Sequence, residues 1–218
     1  MRVLVAGGAG YIGSFVVRAL QEHGHDVAVF DSLEAGHRAA VDCPLVHGNL
    51  LDRNCIREVV RDGRYDAIMH LAAYISVGES VANPGRYYRN NTVGALNLLD
   101  ACVAGNVPYL VFSSTSEVYG DAEYLPLDEQ HPTNPVNPYG LSKRMVEQFL
   151  ESYDRAYSLR SISLRYFNAA GAALDGSMGE DHRPEEHLIP NAIRGALGMQ
   201  EFRLTSAPVD TSDGTTIR

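Results

Sequence analysis

Apolar residues recur along the chain in two alternating patterns. Short runs rich in Val, Ile and Leu read as strands: RVLVAG at 2–7, DVAVFD at 26–31, PLVHG at 44–48, DAIMHLA at 66–72, YLVFSS at 109–114 and SISLRYF at 161–167. Each is apolar on both faces, as in a parallel sheet covered by helices. The segments between them carry helical period, at about 11–23, about 53–62, a stretch within 84–104, and about 138–157. Alternating β and α elements predict an α/β fold, a Rossmann-like doubly wound parallel sheet, with ligands at the carboxyl ends of the strands. After Phe167 the run NAAGAALDGSMGEDHRP is rich in Gly, Ala and Asp and has no clear period. It marks a division into a domain over 1–168 and the beginning of a smaller C-terminal ligand-covering part over 169–218.

Composition narrows the class. The 218 residues, 45% of them hydrophobic, are enough to bury a substantial core. A formal net charge of -9 leaves no basic surface for a nucleic-acid backbone, so a bound phosphate must be held by backbone amides. Cys43, Cys55 and Cys102 are odd in number and lack CxxC spacing, which points to neither a zinc site nor a disulfide framework and fits a reducing cytoplasm. No basic-then-apolar leader precedes the first strand, and no apolar run is long enough to span a bilayer.

Chemistry concentrates at the predicted strand ends. Gly7, Gly10 and Gly13 stand at G-x-x-G-x-x-G spacing between the first strand and the first helix. Glycines there allow a tight turn and let the backbone approach a pyrophosphate, whose charge meets the free N–H groups of the helix start. The second strand ends in Asp31, eighteen residues after Gly13, where an acid can accept bonds from an adenosine ribose. A capping or turn aspartate is the competing reading. A carboxylate there repels a 2′-phosphate, and Ser32 and Leu33 supply no arginine, so the expected cofactor is NAD rather than NADP.

FSSTSEVYG at 112–120 places Ser113, Ser114, Thr115, Ser116, Glu117 and Tyr119 directly after the fifth strand. Twenty-four residues beyond Thr115, PYGLSK places Tyr139 and Lys143 four residues apart, on one helix face. The ammonium can then sit near the phenol and lower its pKa, which suits a tyrosine that exchanges a proton with a substrate hydroxyl.

In this order, GGAGYIG, SSTSEVYG and YGLSK resemble the extended short-chain dehydrogenase/reductase superfamily, whose catalytic group is a Ser or Thr, a Tyr and a Lys. VGESV (77–81), YYRNN (87–91), LRYFNAAGA (164–172) and HLIPNAI (187–193) resemble more specifically the UDP-glucose 4-epimerase family, over essentially the whole chain. The resemblance implies a catalytic group of Thr115, Tyr139 and Lys143. It implies that Tyr11, Ile12, Asp31 and Ser32 flank the adenosine and pyrophosphate of NAD, Asn49 and Leu50 the adenine, and Leu71, Ala72 and Ala73 the cofactor channel. Asn90, Thr115, Tyr139, Lys143 and Phe167 then surround the nicotinamide half. For a UDP-sugar it implies Thr115, Ser116, Glu117, Tyr139, Asn168, His187, Leu188 and Arg218. It also implies a homodimer packed through the segments at 84–104 and 138–157. The reaction so implied inverts C4 of a UDP-hexose through a 4-keto sugar.

Departures from the family pattern are Asn49 where Asp is usual, Ile75 where some members have Lys, and Ala6 where Thr is common. The competing activity is a nucleotide-sugar 4,6-dehydratase, which carries Thr-Asp-Glu at the position of Thr115-Ser116-Glu117. With Ser116 in place of the aspartate, Glu117 lacks its acid partner. The family pattern continues beyond DGTTIR at the end of this sequence, so a NAD-binding module without catalysis is the third reading. His70 reads as a satisfied strand histidine; His23, His25, His37, His47, His131 and His182 have no ligand spacing and read as surface or turn residues. Tyr119 reads as packing, and Asp52 and Asp128 as helix-cap and turn acids.

Overall fold

A computed structural model of the chain describes residues 1–203 and Gly214. Six parallel strands are laid in the order β3-β2-β1-β4-β5-β6: β1 (Arg2–Ala6), β2 (Asp26–Asp31), β3 (Leu45–His47), β4 (Ala67–His70), β5 (Tyr109–Ser113) and β6 (Arg160–Leu164). The order reverses between β1 and β4, which makes that junction the expected ligand crevice of a doubly wound sheet. Register brings the strand ends to one edge: Ala6 lies opposite Phe30 and His70, and His70 opposite Phe112. Gly7, Asp31, Leu71 and Ser113 therefore follow on the same edge.

The period-2 alternation of the strands sorts two cores. Val3, Val5, Val27 and Val29 pack with Val17 of α1 (Tyr11–Glu22) on one face. Leu4, Ala6, Ala28, Phe30, Ile68, Leu110 and Phe112 pack on the other. There they meet α2 (Arg53–Gly63) through Ile56 and Val60, α5 (Gly94–Ala104) through Leu98, Leu99 and Cys102, and α6 (Pro138–Tyr157) through Val146 and Leu150. Asp52 caps α2, its Oδ1 accepting from the amides of Asn54 and Cys55 at 3.1 and 3.0 Å. The three cysteines are free thiols.

Several expectations change in detail. The predicted strands at 44–48, 66–72 and 161–167 are shorter or shifted, because the last residues of each turn away to form the loops of the site. The helical stretch within 84–104 is broken into α4 (Pro84–Tyr87), a π-helical segment (Tyr88–Val93) and α5, preceded by α3 (Val77–Ala82). On the two edge strands, Val46 of β3 and Ile162 of β6 are 37% and 62% exposed among the described residues. Among the described residues no helix is long and apolar enough to cross a membrane.

The chain divides into two compact units, Met1–Ala169 and Ala170–Arg218. The second contains α7 (Leu188–Ala196), and Phe202 closes against Gly195, where a Cβ would approach to 2.5 Å. Arg218 lies outside the described residues.

Candidate active site

The glycine turn after β1 is shaped by close approach. Gly7 has φ +84° and lies so near the chain after β4 that a Cβ would meet the Ala72 nitrogen at 2.4 Å. A Cβ on Gly13 would meet the Gly7 oxygen at 2.1 Å. Gly10 differs: a Cβ there would stand 3.5 Å from its nearest contact, so this position leaves room outside the turn. Gly10 is also the N-cap of α1, with no side-chain cap and no acidic residue in the first turn. The positive end of α1 is thus presented by backbone amides alone, the arrangement that receives an anionic diphosphate. Tyr11 and Ile12, half-buried, start the helix.

Asp31 is buried at the end of β2. Its Oδ2 accepts from the Ala9 amide at 2.9 Å and its Oδ1 from the Leu33 amide at 2.8 Å. The aspartate therefore braces the glycine turn as well as its own loop, and each oxygen keeps acceptor capacity for a further donor. Asn49 is exposed, and its Oδ1 is engaged locally by the Leu51 amide at 2.9 Å, while Leu50 is buried. Leu71, Ala72 and Ala73 are half-buried after β4, with Leu71 and Ala72 donating to the Ala6 carbonyl.

The second half of the site is built from β5 and α6. Thr115 is buried, and its Oγ1 accepts from the Glu117 amide at 3.2 Å, which fixes a 3₁₀ turn over Ser116–Val118. Asn137 caps α6, its Oδ1 accepting from the Gly140 amide at 2.8 Å, while its Nδ2 donates to Glu117 at 2.7 Å. A Cβ on Gly140 would lie 2.6 Å from the Glu117 carbonyl oxygen, so the helix start and the 3₁₀ turn touch backbone to backbone. Tyr139 is brought beside Thr115, whose hydroxyl acts to lower the pKa of the phenol. One turn on, Lys143 is 3% exposed and donates to the Ser113 carbonyl at 2.8 Å.

The electrostatics differ from the expectation that Lys143 lowers the pKa of Tyr139. Burial raises the phenol above its ordinary value, the Thr115 hydrogen bond offsets part of that, and Glu117 raises it further. Lys143 stands 6.0 Å from the ring centroid and is turned onto the Ser113 carbonyl. Its own burial lowers the ammonium to about 7.

Several residues that support this group carry no motif of their own. Asn91 is 3% exposed and satisfies all four hydrogen-bonding positions of its amide. It accepts from the Tyr74 amide (2.9 Å) and Asn90 Nδ2 (3.0 Å), and donates to the Tyr74 carbonyl (3.0 Å) and Ser142 Oγ (3.1 Å). It ties the loop after β4 to the helix of Tyr139 and lies in the π-helical segment, a form enriched at functional sites. Glu147 is buried and accepts from Ser114 Oγ (2.6 Å), Arg165 Nε (3.0 Å) and Arg144 (3.2 Å). Arg165 also lies over the Tyr119 ring, 4.8 Å from its centroid. The signal for Glu147 was its i, i+4 continuation of the Tyr139–Lys143 face.

Other predicted residues are less engaged. Ser116 and Glu117 are half-buried, Asn90 is half-buried beside Asn91, and Phe167 and Asn168 are exposed. His187 and Leu188 open α7 in the second unit, both exposed. A hollow of 250 Å³ lined by Arg53, Arg57, Asn97, Asp100 and Tyr157 contains none of the site residues.

Three histidines depart from their expected roles. His70 is buried, but its Nδ1 has no partner among the described residues; its ring lies 5.5 Å from that of Phe112. His131 is 2% exposed rather than at the surface: its Nε2 accepts from the Glu123 amide at 2.9 Å, and its ring packs between Tyr119 and Tyr124. His182 gathers with Glu180, Glu185 and His187.

Comparisons with known proteins identify the family and the fold. Residues 3–218 match the NAD dependent epimerase/dehydratase family. The chain is 48% identical over 221 residues to the UDP-glucose 4-epimerase of Lactobacillus helveticus, covering 100% of this chain and 67% of that one. The structure of the Brucella ovis UDP-glucose 4-epimerase in complex with NAD is similar at TM-score 0.90 and 44% identity, over 92% of this chain and 62% of that chain. That of the Bifidobacterium longum enzyme in complex with NAD+ and UDP is similar at TM-score 0.93 and 33% identity, over 99% and 68%. The chain thus spans about two thirds of the length of the relatives it matches.

Proposed function

The chain belongs to the NAD dependent epimerase/dehydratase family and groups within it with the UDP-glucose 4-epimerases, and from that premise we propose that it inverts C4 of a UDP-hexose with NAD held as a catalyst. One juxtaposition carries the reading: Tyr139, beside the buried Thr115 and one helical turn from the buried Lys143, follows the same strand edge as a glycine turn that opens onto an uncapped helix start.

The residues present suit NAD. Gly10 leaves space where a side chain would stand, and the first amides of α1 have no side-chain cap to compete with a diphosphate. Asp31 can take a ribose hydroxyl and repels a 2′-phosphate, which favours NAD over NADP. Asn90 and Phe167 belong to the nicotinamide end of this reading, and Asn49 with Leu50 to the adenine end. When bound, NAD takes a hydride from the sugar carbon and returns it.

Tyr139 takes the proton of the sugar 4-hydroxyl and gives it back after the 4-keto sugar has turned over; burial raises its pKa, so the phenolate this requires would depend on the Thr115 hydroxyl and on the positive charge that NAD would bring when bound. Thr115 holds the reacting oxygen and stabilises the phenolate by its hydrogen bond. Lys143, anchored on the Ser113 carbonyl, supplies positive charge in a site that burial has made poor in water. Asn168, His187, Leu188 and Arg218 are assigned to the UDP-sugar on the family resemblance.

Dehydration is disfavoured chemically. The acid position is Ser116, and the Glu117 carboxylate is held by Asn137 in the cap of α6. Self-association through residues 84–104 and 138–157 is part of the proposal, supported by exposed Val93 and Leu96, 46% and 37% accessible. Sedimentation velocity checks it, with a single species at twice the chain mass expected. The reducing cytoplasm is the proposed compartment, consistent with three free thiols.

The test of function is incubation with UDP-galactose and NAD, followed by separation of UDP-glucose. Formation of UDP-glucose supports the assignment; release of a 4-keto-6-deoxy sugar nucleotide instead would replace it by the dehydratase.

A further inference from the structure

In the second unit, four ligand-type side chains converge just ahead of α7. We propose that Glu180, His182, Glu185 and His187 form a binding site for one divalent cation of the zinc class. One oxygen or nitrogen from each lies within 4.8 Å of all the others. His182 Nδ1 is 3.1 Å from Glu180 Oε1 and 3.9 Å from Glu185 Oε1, and His187 Nδ1 is 3.7 Å from Glu185 Oε1 and also contacts Glu180 Oε1. Zinc bonds to nitrogen and oxygen of about 2.0–2.2 Å set tetrahedral ligand-to-ligand distances of about 3.4 Å. Three of the separations, 3.1, 3.7 and 3.9 Å, lie near that edge, and an ion at the centre would draw the remaining atoms, all within 4.8 Å, to it.

Burial and charge supply the second argument. The side chains of Glu180 and Glu185 are 9% and 1% exposed, and Glu185 Oε2 is buried with no hydrogen-bond partner among the described residues. Neither carboxylate pairs with a Lys or Arg among the described residues; the nearest arginine in sequence, Arg183, is bonded to Asp181 at 3.2 Å. Glu185 Oε1 also accepts from the His187 amide at 3.0 Å, but no Lys or Arg side chain among the described residues pairs with either carboxylate, and a dication would cancel their charge, since two negative charges and the ion sum to zero. Imidazole with carboxylate selects zinc-class ions over magnesium or calcium, which prefer all-oxygen shells. The ion would clip residues 180–187 into a closed loop and fix His187, the N-cap of α7, which has no side-chain capping bond. In sequence the site is E-x-H-x-x-E-x-H, a spacing visible only once the loop is folded back on itself.

The site shares His187 with the UDP-sugar assignment, but its readout is metal, so its failure and the failure of the epimerase reading are distinguishable. Untagged full chain, stripped with chelator, is titrated with zinc by calorimetry, and with Co(II) by visible absorption. Wild type is expected to bind one ion per chain and to give the d–d bands of a four-coordinate cobalt site. His182→Ala and Glu185→Gln are expected to weaken binding by more than the roughly 10–100-fold that loss of an outer-shell partner alone costs. Circular dichroism verifies folding, and the near-isosteric Glu185→Gln keeps the test open should His182→Ala fail to fold. No saturable zinc binding by wild type, or binding of equal strength in the folded variants, would overturn the proposal.

Discussion

At the scale of single residues, Tyr139 and Lys143 set chemistry against stability. A lysine held at about 7 by burial carries its charge at a cost to the fold. The folded pKa lies below the ordinary 10.5, so the unfolded chain binds the extra proton between those values, and stability attributable to this group rises as pH climbs from about 7 towards 10.5. Lys143→Met is therefore expected to raise the melting temperature at pH 7, a gain on the order of 1–3 kcal/mol after the lost bond to Ser113 is counted, while ending turnover. A lower melting temperature in calorimetry would show that the bond outweighs the burial cost. The spacing of Tyr139 and Lys143 was legible in the sequence. Their electrostatics were not, because i, i+4 spacing fixes a shared face and not which acceptor the ammonium chooses. Ser113 offers a carbonyl, and Lys143 takes it.

At the scale of elements, the glycine turn and the start of α6 separate fold from function. Gly13→Ala forces a carbon onto the Gly7 carbonyl oxygen and is expected to destabilise the protein by several kcal/mol, read as a lower denaturant midpoint. Gly10→Ala meets only ordinary contact, so it is expected to leave the midpoint within about 0.5–1 kcal/mol and to weaken NAD binding in calorimetry. Equal destabilisation by both variants would refute the division of roles. Glu147→Ala strands Arg165 and the Ser114 hydroxyl, while Arg144 keeps Glu151 at 3.7 Å, for a loss of about 3–5 kcal/mol in urea unfolding, with Glu147→Gln retaining part of it. The strands and most helices could be read from periodicity. The break at 88–93 could not, because π-helical geometry has no simple apolar signature, yet it is what directs Asn91 across to Tyr74 and Ser142. FSSTSEVYG likewise showed its hydroxyls but not its wiring: Ser114 turns to Glu147, and Glu117 is bonded by Asn137.

For the molecule as a whole, sheet order decides which motifs meet. Reversal between β1 and β4 puts the glycine turn beside Ala72, and the strand register carries that edge through His70 to Phe112 and the hydroxyl cluster. Sequence alternation announced this sheet. It did not announce the exposed edges, since Ile162 in β6 is as apolar as any buried strand residue. The buried His70 gives the fold an acid limit. Desolvation, then Lys143, holds it to about 3 against 6.5. The unfolded chain takes up this proton below about 6.5, so stability is intact above that pH and falls as pH drops towards 3. His70→Phe is expected to flatten this slope in urea titrations, and an unchanged slope would assign the acid sensitivity elsewhere. The central claim, that Tyr139 moves the sugar's 4-hydroxyl proton, is tested most directly by Tyr139→Phe in the UDP-galactose to UDP-glucose conversion, with NAD binding measured on the same protein. The predicted result is a loss of turnover on the order of a thousandfold with NAD still bound; turnover near the wild-type rate would contradict it.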